Sequence, residues 1–246
     1  MTAAASAPGD ELDGPAREVV IATCTRRAAL ELEGAAAFTR VTQALIDLRA
    51  DAAILELSAR AIAEEMSHAE IYRGLATAYA GREIPRPQPA PIAWPTHDGA
   101  PAALRPVLEV VGMCAINETM ACAFLELCLA GATAAPVRAG LRDVLGDEIR
   151  HGRIGWAYLA SMGLDAAGRA EIGTFVLPLV ARQVRGWRAQ IATVPGPPVP
   201  GHGCPSGEAI EHAMRASITD LVLPGFEHLG IDVRAARRWA EAGAAT

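Results

Sequence analysis

The amino-acid sequence predicts an all-α chain: a four-helix bundle followed by two or three further helices. Three observations carry that prediction. Apolar residues recur at helical spacing over long stretches, many of them alanine, the best helix former. Two copies of Glu-x-x-His occur, Glu65–His68 and Glu148–His151. Each follows a further Glu by about one helical hairpin: Glu31 precedes Glu65 by 34 residues, and Glu118 precedes Glu148 by 30. A lone Glu on each of two helices, with Glu-x-x-His on each of two others, is the donor set that builds a dinuclear metal site inside a four-helix bundle.

The first helix is expected from Pro15 or Ala16 to Leu48, after an Ala-rich, acidic start (1–14) that reads as a disordered tail. Its apolar stripe is Ala35, Phe38, Val41, Leu45 and Leu48, and stepping back by three and four reaches Gly34 and Glu31. Glu31 thus shares the core-facing stripe. Glu33, the less favoured alternative, sits about 200° further round, beside Arg40 and Asp47. The second helix is expected from Ala52 to Ala80, with Ile62, Glu65, His68, Tyr72, Leu75 and Tyr79 on one face and Gly81 as its stop. Six prolines between 82 and 101 then make an extended connection, long enough to run back along the bundle at ~3.1 Å per residue.

The third helix is expected from Ala103 to Leu129, its core face carrying Val111, Cys114, Glu118, Ala121, Cys122 and Leu125. The fourth runs from Pro136 to Met162, with Leu141, Val144, Glu148, His151, Ile154 and Tyr158 facing inward. A fifth spans Ala166 to Ala192, kinked at Pro178. After a Pro/Gly loop (195–207), which reads as a lid or a simple connector, Ser206 caps a sixth helix to Leu223, broken at Pro224-Gly225. A short helix covers Val233 to Ala242. The expected organisation is one helical domain over 15–246, with the bundle at 16–162 and extra helices at 166–242.

Composition narrows the function classes. Lys is absent, all 22 cations are Arg, and the net charge of −6 disfavours a phosphate-backbone partner. No uninterrupted apolar run reaches membrane-spanning length, so no membrane partner is expected. Five cysteines without a Cys-x-x-Cys pair suit a reduced, cytoplasmic compartment. His202, His212 and His228 lack ligand spacing and read as surface or loop residues.

Chance yields roughly 0.4 Glu-x-x-His matches in a chain with 18 Glu and 6 His, so two mid-helix copies exceed it. On a helix, residues three apart are neighbours, so Glu65 and His68 can address one metal pair. Four carboxylates balance two divalent ions, and imidazole suits iron or manganese. A zinc protease would need His-Glu-x-x-His, which is absent. Asp147 and Glu64 each lie four residues before a His; Asp147 is expected to fix the tautomer of the imidazole on its own helix, whereas Glu64 reads as a helix-surface acid, with that same role as its alternative. Tyr72 and Tyr158 share the ligand faces, either as redox-active or pocket residues or as core aromatics. Cys114 and Cys122 flank Glu118 and read as small core residues, with lining of the cavity as the alternative.

These residues resemble the ferritin-like di-iron carboxylate superfamily over roughly 16–162, including its long crossover between bundle helices 2 and 3. The run Asp147-Glu148-Ile149-Arg150-His151 is similar to the Asp-Glu-x-Arg-His signature of bacterial multicomponent monooxygenase hydroxylases. The resemblance implies metal ligands at Glu31, Glu65, His68, Glu118, Glu148 and His151, with Glu65 and Glu148 as bridges. It also implies two iron ions (or a manganese–iron pair) and O2 as co-substrate. The chain departs from the pattern in three ways. It is shorter than those hydroxylase subunits, lacks the rubredoxin-type Cys pairs of rubrerythrin, and has Val144 where arylamine N-oxygenases place an extra His.

The expected function is an O2-dependent non-haem di-iron oxygenase or oxidase acting on a small organic substrate, such as a biosynthetic tailoring step. Tyr72 and Tyr158 join Glu65 and Glu148 as catalytic candidates. Expected partners are the substrate and an external electron donor, a reductase or ferredoxin, with a homodimer as the candidate assembly. The alternatives are ferroxidase or iron storage, peroxide detoxification, and hydroxylation of a modified tRNA base. The acidic charge disfavours the last.

Overall fold

The computed structural model describes residue 9 and residues 11–242. Most of the expected tail (1–8 and 10), and residues 243–246, lie outside them. Among the described residues the chain is all-helical, with one isolated bridge between Val199 and Cys204 and no strand. The helices are α1 (Gly14–Asp47), α2 (Ala52–Ala80), α3 (Arg105–Gly131), α4 (Ala135–Ser161), α5 (Ala166–Ile191), α6 (207–228) and α7 (Arg234–Glu241).

Local chemistry sets the ends. Asp13 Oδ1 accepts from the Ala16 N–H at 2.8 Å, and Pro15 occupies the first turn, where no N–H is needed. Gly81 closes α2 at φ 64, a left-handed conformation that glycine adopts without steric cost. Asp165 and Ser206 cap α5 and α6 through the Gly168 and Ala209 N–H groups.

Two antiparallel hairpins, α1–α2 and α3–α4, pack against each other with α2 on α4 and α1 on α3. The proline-rich segment between α2 and α3 is irregular and lies along α1. Ala90 donates to Glu33 Oε1 at 3.1 Å, and the Arg40 guanidinium sits 4.5 Å over the Trp94 ring. Glu33 is thereby engaged with this connection. α5 packs on the middle of α3, and α6 on its second half.

Two features depart from the sequence expectation. Residues Val111–Asn117 of α3 form a π-helix, immediately before Glu118. The sixth helix does not break at Pro224-Gly225: a second π-helical turn, Ile218–Val222, leads into Leu223–His228. The Leu223 N–H bonds to the Ile218 carbonyl, one residue further back than in an α-helix. This wider turn resets the ladder just before the residue that has no N–H. α5 runs through Pro178 without interruption.

The residues of α3 include a window of mean hydropathy 1.5, long and apolar enough by composition to cross a membrane, of which 56% is buried against other helices.

The buried apolar residues fall into two clusters separated along the helix axes. One holds Phe38, Val41 and Leu45 of α1, Ala61 of α2, Ile116 and Met120 of α3, and Ile154 of α4. The other holds Val20, Cys24 and Ala28 of α1, Tyr72 and Leu75 of α2, Leu125 of α3, and Leu141 and Val144 of α4. On α1, α2 and α4 the boundary falls at Glu31, at Glu65 and His68, and at Glu148 and His151. On α3, Glu118 lies at the edge of the first cluster. A buried polar layer thus crosses the helices between two dry ones.

Candidate metal centre

Glu65, His68, Glu118, Glu148 and His151 are each 4% exposed or less, and Glu31 is half-buried. Their donor atoms fall into two groups: Glu31, Glu65, His68 and Glu148; and Glu65, Glu118, Glu148 and His151. Within each group the atoms lie within 4.8 Å of one another. Glu65 and Glu148 belong to both. His68 Nδ1 is 3.4 Å from Glu148 Oε1, 3.8 Å from Glu65 Oε2 and 3.6 Å from Glu31 Oε2. His151 Nδ1 is 3.1 Å from Glu148 Oε2 and 3.3 Å from Glu65 Oε1. Each shared carboxylate therefore offers one oxygen to each imidazole. Donor atoms bound at adjacent positions of one ion, at about 2.1 Å each, are about 3 Å apart, so this layer is close to a coordinating geometry.

The outer ring nitrogens are held, but across the helix pair. His68 Nε2 lies 3.0 Å from Asp147 Oδ2, and His151 Nε2 lies 2.9 Å from Glu64 Oε2. This corrects the expected same-helix pairing. Each ring points Nδ1 into the cluster, so Nε2 emerges toward the opposing helix. Arg150 joins the two acids, bonding Glu64 at 3.0 Å and Asp147. With Nε2 engaged, Nδ1 is the nitrogen that faces the carboxylates on both rings: on His151 it bonds Glu148 Oε2 at 3.1 Å, and on His68 it comes no nearer than 3.4 Å to Glu148, Glu65 or Glu31.

The electrostatics are those of anions crowded out of water. Burial, with Glu65 and Glu148 nearby, pushes Glu31 well above the usual carboxylate range. Burial and the Glu148 charge do the same to Glu118. Burial would also raise Glu148, but hydrogen bonds with His151, His68 and Glu118 hold it well below. Burial opposes the charged form of His151, yet bonds to Glu148 and Glu65 lift it to about 11. His68 is raised for the same reason, by Glu148, Glu31 and Glu65. Without a metal, Glu31, Glu118 and both imidazoles are therefore biased toward holding protons. Burying ionised groups costs several kcal/mol each unless they are paired, so a layer this rich in carboxylates suits bound cations better than a structural role.

Backbone proximity shapes the site. A Cβ at Gly34 would lie 2.8 Å from Glu65 Oε2, so glycine leaves room for that carboxylate. Gly155 lets α4 pack directly on the π-helical backbone of α3, where a Cβ would come within 2.8 Å of Ala115 Cα. Residues of α5 hold the same segment. Gln183 donates to the Gly112 carbonyl at 2.8 Å, and Trp187 donates to Asn117 Oδ1 at 3.0 Å. Asn117 in turn donates to Glu118 Oε1 at 3.2 Å. Sequence reasoning missed Asn117, Gln183, Trp187 and Arg150, whose partners lie mostly far away along the chain.

A cavity of about 270 Å³ opens onto Glu31, Glu65, Glu118 and Glu148. Its wall includes Leu30, Met113, Phe124, Trp187 and Val194, and Pro195, Cys204 and Pro205 of the 195–207 region. That loop is thus part of the cavity wall. Tyr72 lines the cavity, and its buried hydroxyl has no hydrogen-bond partner among the described residues. Tyr158 does not line it and belongs to the first apolar cluster. It lies seven residues past His151, about 10 Å along the axis, whereas Tyr72 is one turn from His68. Cys114 is fully buried, Cys122 is half-buried, and neither lines the cavity. His202 is not a surface residue: it is 7% exposed, with Nδ1 2.5 Å from Tyr79 Oη and Nε2 3.1 Å from Glu11 Oε1.

Comparisons with protein-family models, with curated proteins and with solved structures give no match.

Proposed function

We propose that this chain is a ferritin-like di-iron oxygenase or oxidase that acts on a small organic substrate with O2. The observation that carries the reading is the pair of buried donor groups sharing Glu65 and Glu148, set at the inner end of a largely apolar cavity. Glu31 and His68 would complete one metal position, Glu118 and His151 the other. Two iron ions held there would supply redox equivalents for reaction with O2.

The chain's own groups set the rest. Asp147 and Glu64 hold the imidazoles with Nδ1 facing the cluster. Leu30, Met113 and Phe124 give the cavity an apolar wall against which an organic substrate would displace water. Tyr72 keeps its proton, because burial raises the phenol well above its usual range, and so presents a neutral O–H donor to a molecule in the cavity. A monooxygenation places one oxygen atom of O2 on the substrate and the other in water. It consumes two electrons and two protons, which an external reductase or ferredoxin would deliver.

The test is O2 consumption by Fe(II)-loaded protein with and without candidate organic substrates, alongside the iron taken up per chain. A substrate that accelerates O2 consumption and is recovered oxidised supports the reading. Uptake of many irons per chain with no organic product would replace it with iron storage.

A further inference from the structure

Arg27 lies on α1 one turn before Glu31, is 8% exposed and lines the cavity. Its Nη2 donates to the Gly203 carbonyl at 2.9 Å and to Cys128 Sγ at 3.4 Å. Its guanidinium lies 4.8 Å from the Phe124 ring centroid and 5.6 Å from that of Tyr72. None of these partners is an anion. Burial raises Cys24 to about 12 and keeps Cys128 and Cys204 as thiols despite the nearby cation. Glu31 is turned toward His68. A guanidinium has five N–H donors, and those on Nε and Nη1 have no hydrogen-bond partner among the described residues.

The charge balance isolates this group. Four carboxylates match two divalent ions, and Glu64 and Asp147 share Arg150. Arg26, half-buried at the same cavity, donates to the Gln190 carbonyl and feels the Glu33 charge. Among the described residues no anion pairs with Arg27, which remains a buried cation beside apolar walls and within one helical turn of the candidate metal centre.

Resting on the di-iron reading, we propose that the cavity takes a small monocarboxylate with an apolar body. Its carboxylate would pair with Arg27, and its body would lie along Leu30, Phe124 and Met113 toward Glu118 and Glu148. Guanidinium suits this task because its planar fork matches a carboxylate.

The probe is a straight-chain series from butanoate to decanoate, titrated calorimetrically into Mn(II)-loaded and metal-free protein, with octanol and octylamine as neutral and cationic controls. The best carboxylate should bind about 10- to 100-fold more tightly than the alcohol of equal length, the range expected for charge-assisted bonds. Arg27→Gln should remove that preference, and Arg27→Lys should keep part of it. Should Arg27→Gln not fold, the alcohol comparison in the unaltered protein and the partial loss in Arg27→Lys decide. No carboxylate binding anywhere in the series, equal binding of octanol, or unchanged carboxylate affinity in a folded Arg27→Gln would overturn the proposal. Metal content is counted on the same samples. Two metals with no carboxylate preference sinks the substrate class alone, whereas a carboxylate preference without stoichiometric metal sinks the di-iron reading.

Discussion

Gly34→Ala tests how closely the centre is fitted. A Cβ at Gly34 would sit 2.8 Å from Glu65 Oε2 and 2.9 Å from its Cδ, where ordinary contact begins at 3.4 Å. The carboxylate must therefore retreat by about 0.6 Å (3.4 − 2.8), slightly more than the ~0.5 Å that a positioned site tolerates. It has little freedom to do so, because its two oxygens face different imidazoles, Oε2 toward His68 and Oε1 toward His151. Both metal positions should suffer, with affinity reduced about 10- to 100-fold, as for other disturbances of ligand orientation. Stability without metal should fall by no more than about 2 kcal/mol. Ala gains about 1 kcal/mol over Gly in a helix interior, against about 1–3 kcal/mol of overpacking. Equilibrium dialysis against Mn(II) measures the first effect, and urea unfolding in chelator measures the second. A Gly34→Ala protein that binds two metals with unaltered affinity would refute the role given to Glu65.

Other outcomes follow from the same geometry. Gly155→Ala places a methyl against the backbone of Ala115 rather than a movable side chain, so unfolding free energy should fall by about 3 kcal/mol or more; a change under about 1 kcal/mol in denaturant titration would mean that α4 is not packed this closely. Asp147→Asn should weaken the metal position served by His68, and Glu64→Gln that served by His151, each by about 10- to 100-fold. The reverse assignment, read from each imidazole's spectroscopic signature, would contradict the cross-helix pairing. Glu31, Glu118, His68 and His151 are all raised, so at neutral pH the metal-free site holds protons that a metal must displace. Metal affinity should thus rise with pH, with proton release seen calorimetrically in buffers of different ionisation heat. Metal-free stability has the opposite sign: the His151 contribution is complete below its ordinary 6.5 and is lost as pH rises through about 11. A metal affinity independent of pH would show that the site is not protonated.

The helical class was legible because Ala-rich periodic segments are punctuated by strong stops, such as Gly81 and Gly163. The proximity of Glu65 to His68 and of Glu148 to His151 was legible because three-residue spacing fixes it on any helix. What brings the two pairs together is long-range packing, and only the hairpin spacing of Glu31 and Glu118 hinted at it. The π-helix at Val111–Asn117 left no trace, since the spacing of Val111, Cys114 and Glu118 suits an α-helix equally well. Same-helix spacing pointed Asp147 at His151, but imidazole orientation decided otherwise. Arg27 and Trp187 gain their meaning from partners 176 and 70 residues away, which no local pattern encodes.

The most direct test is the metal content per chain after anaerobic Fe(II) loading and removal of loosely bound ions, for the unaltered protein and for Glu148→Ala. Two irons per chain are expected in the first, and loss of the pair with the helical circular dichroism retained in the second. No stoichiometric metal in the unaltered protein, or two irons still bound in Glu148→Ala, would contradict a centre built on Glu65 and Glu148.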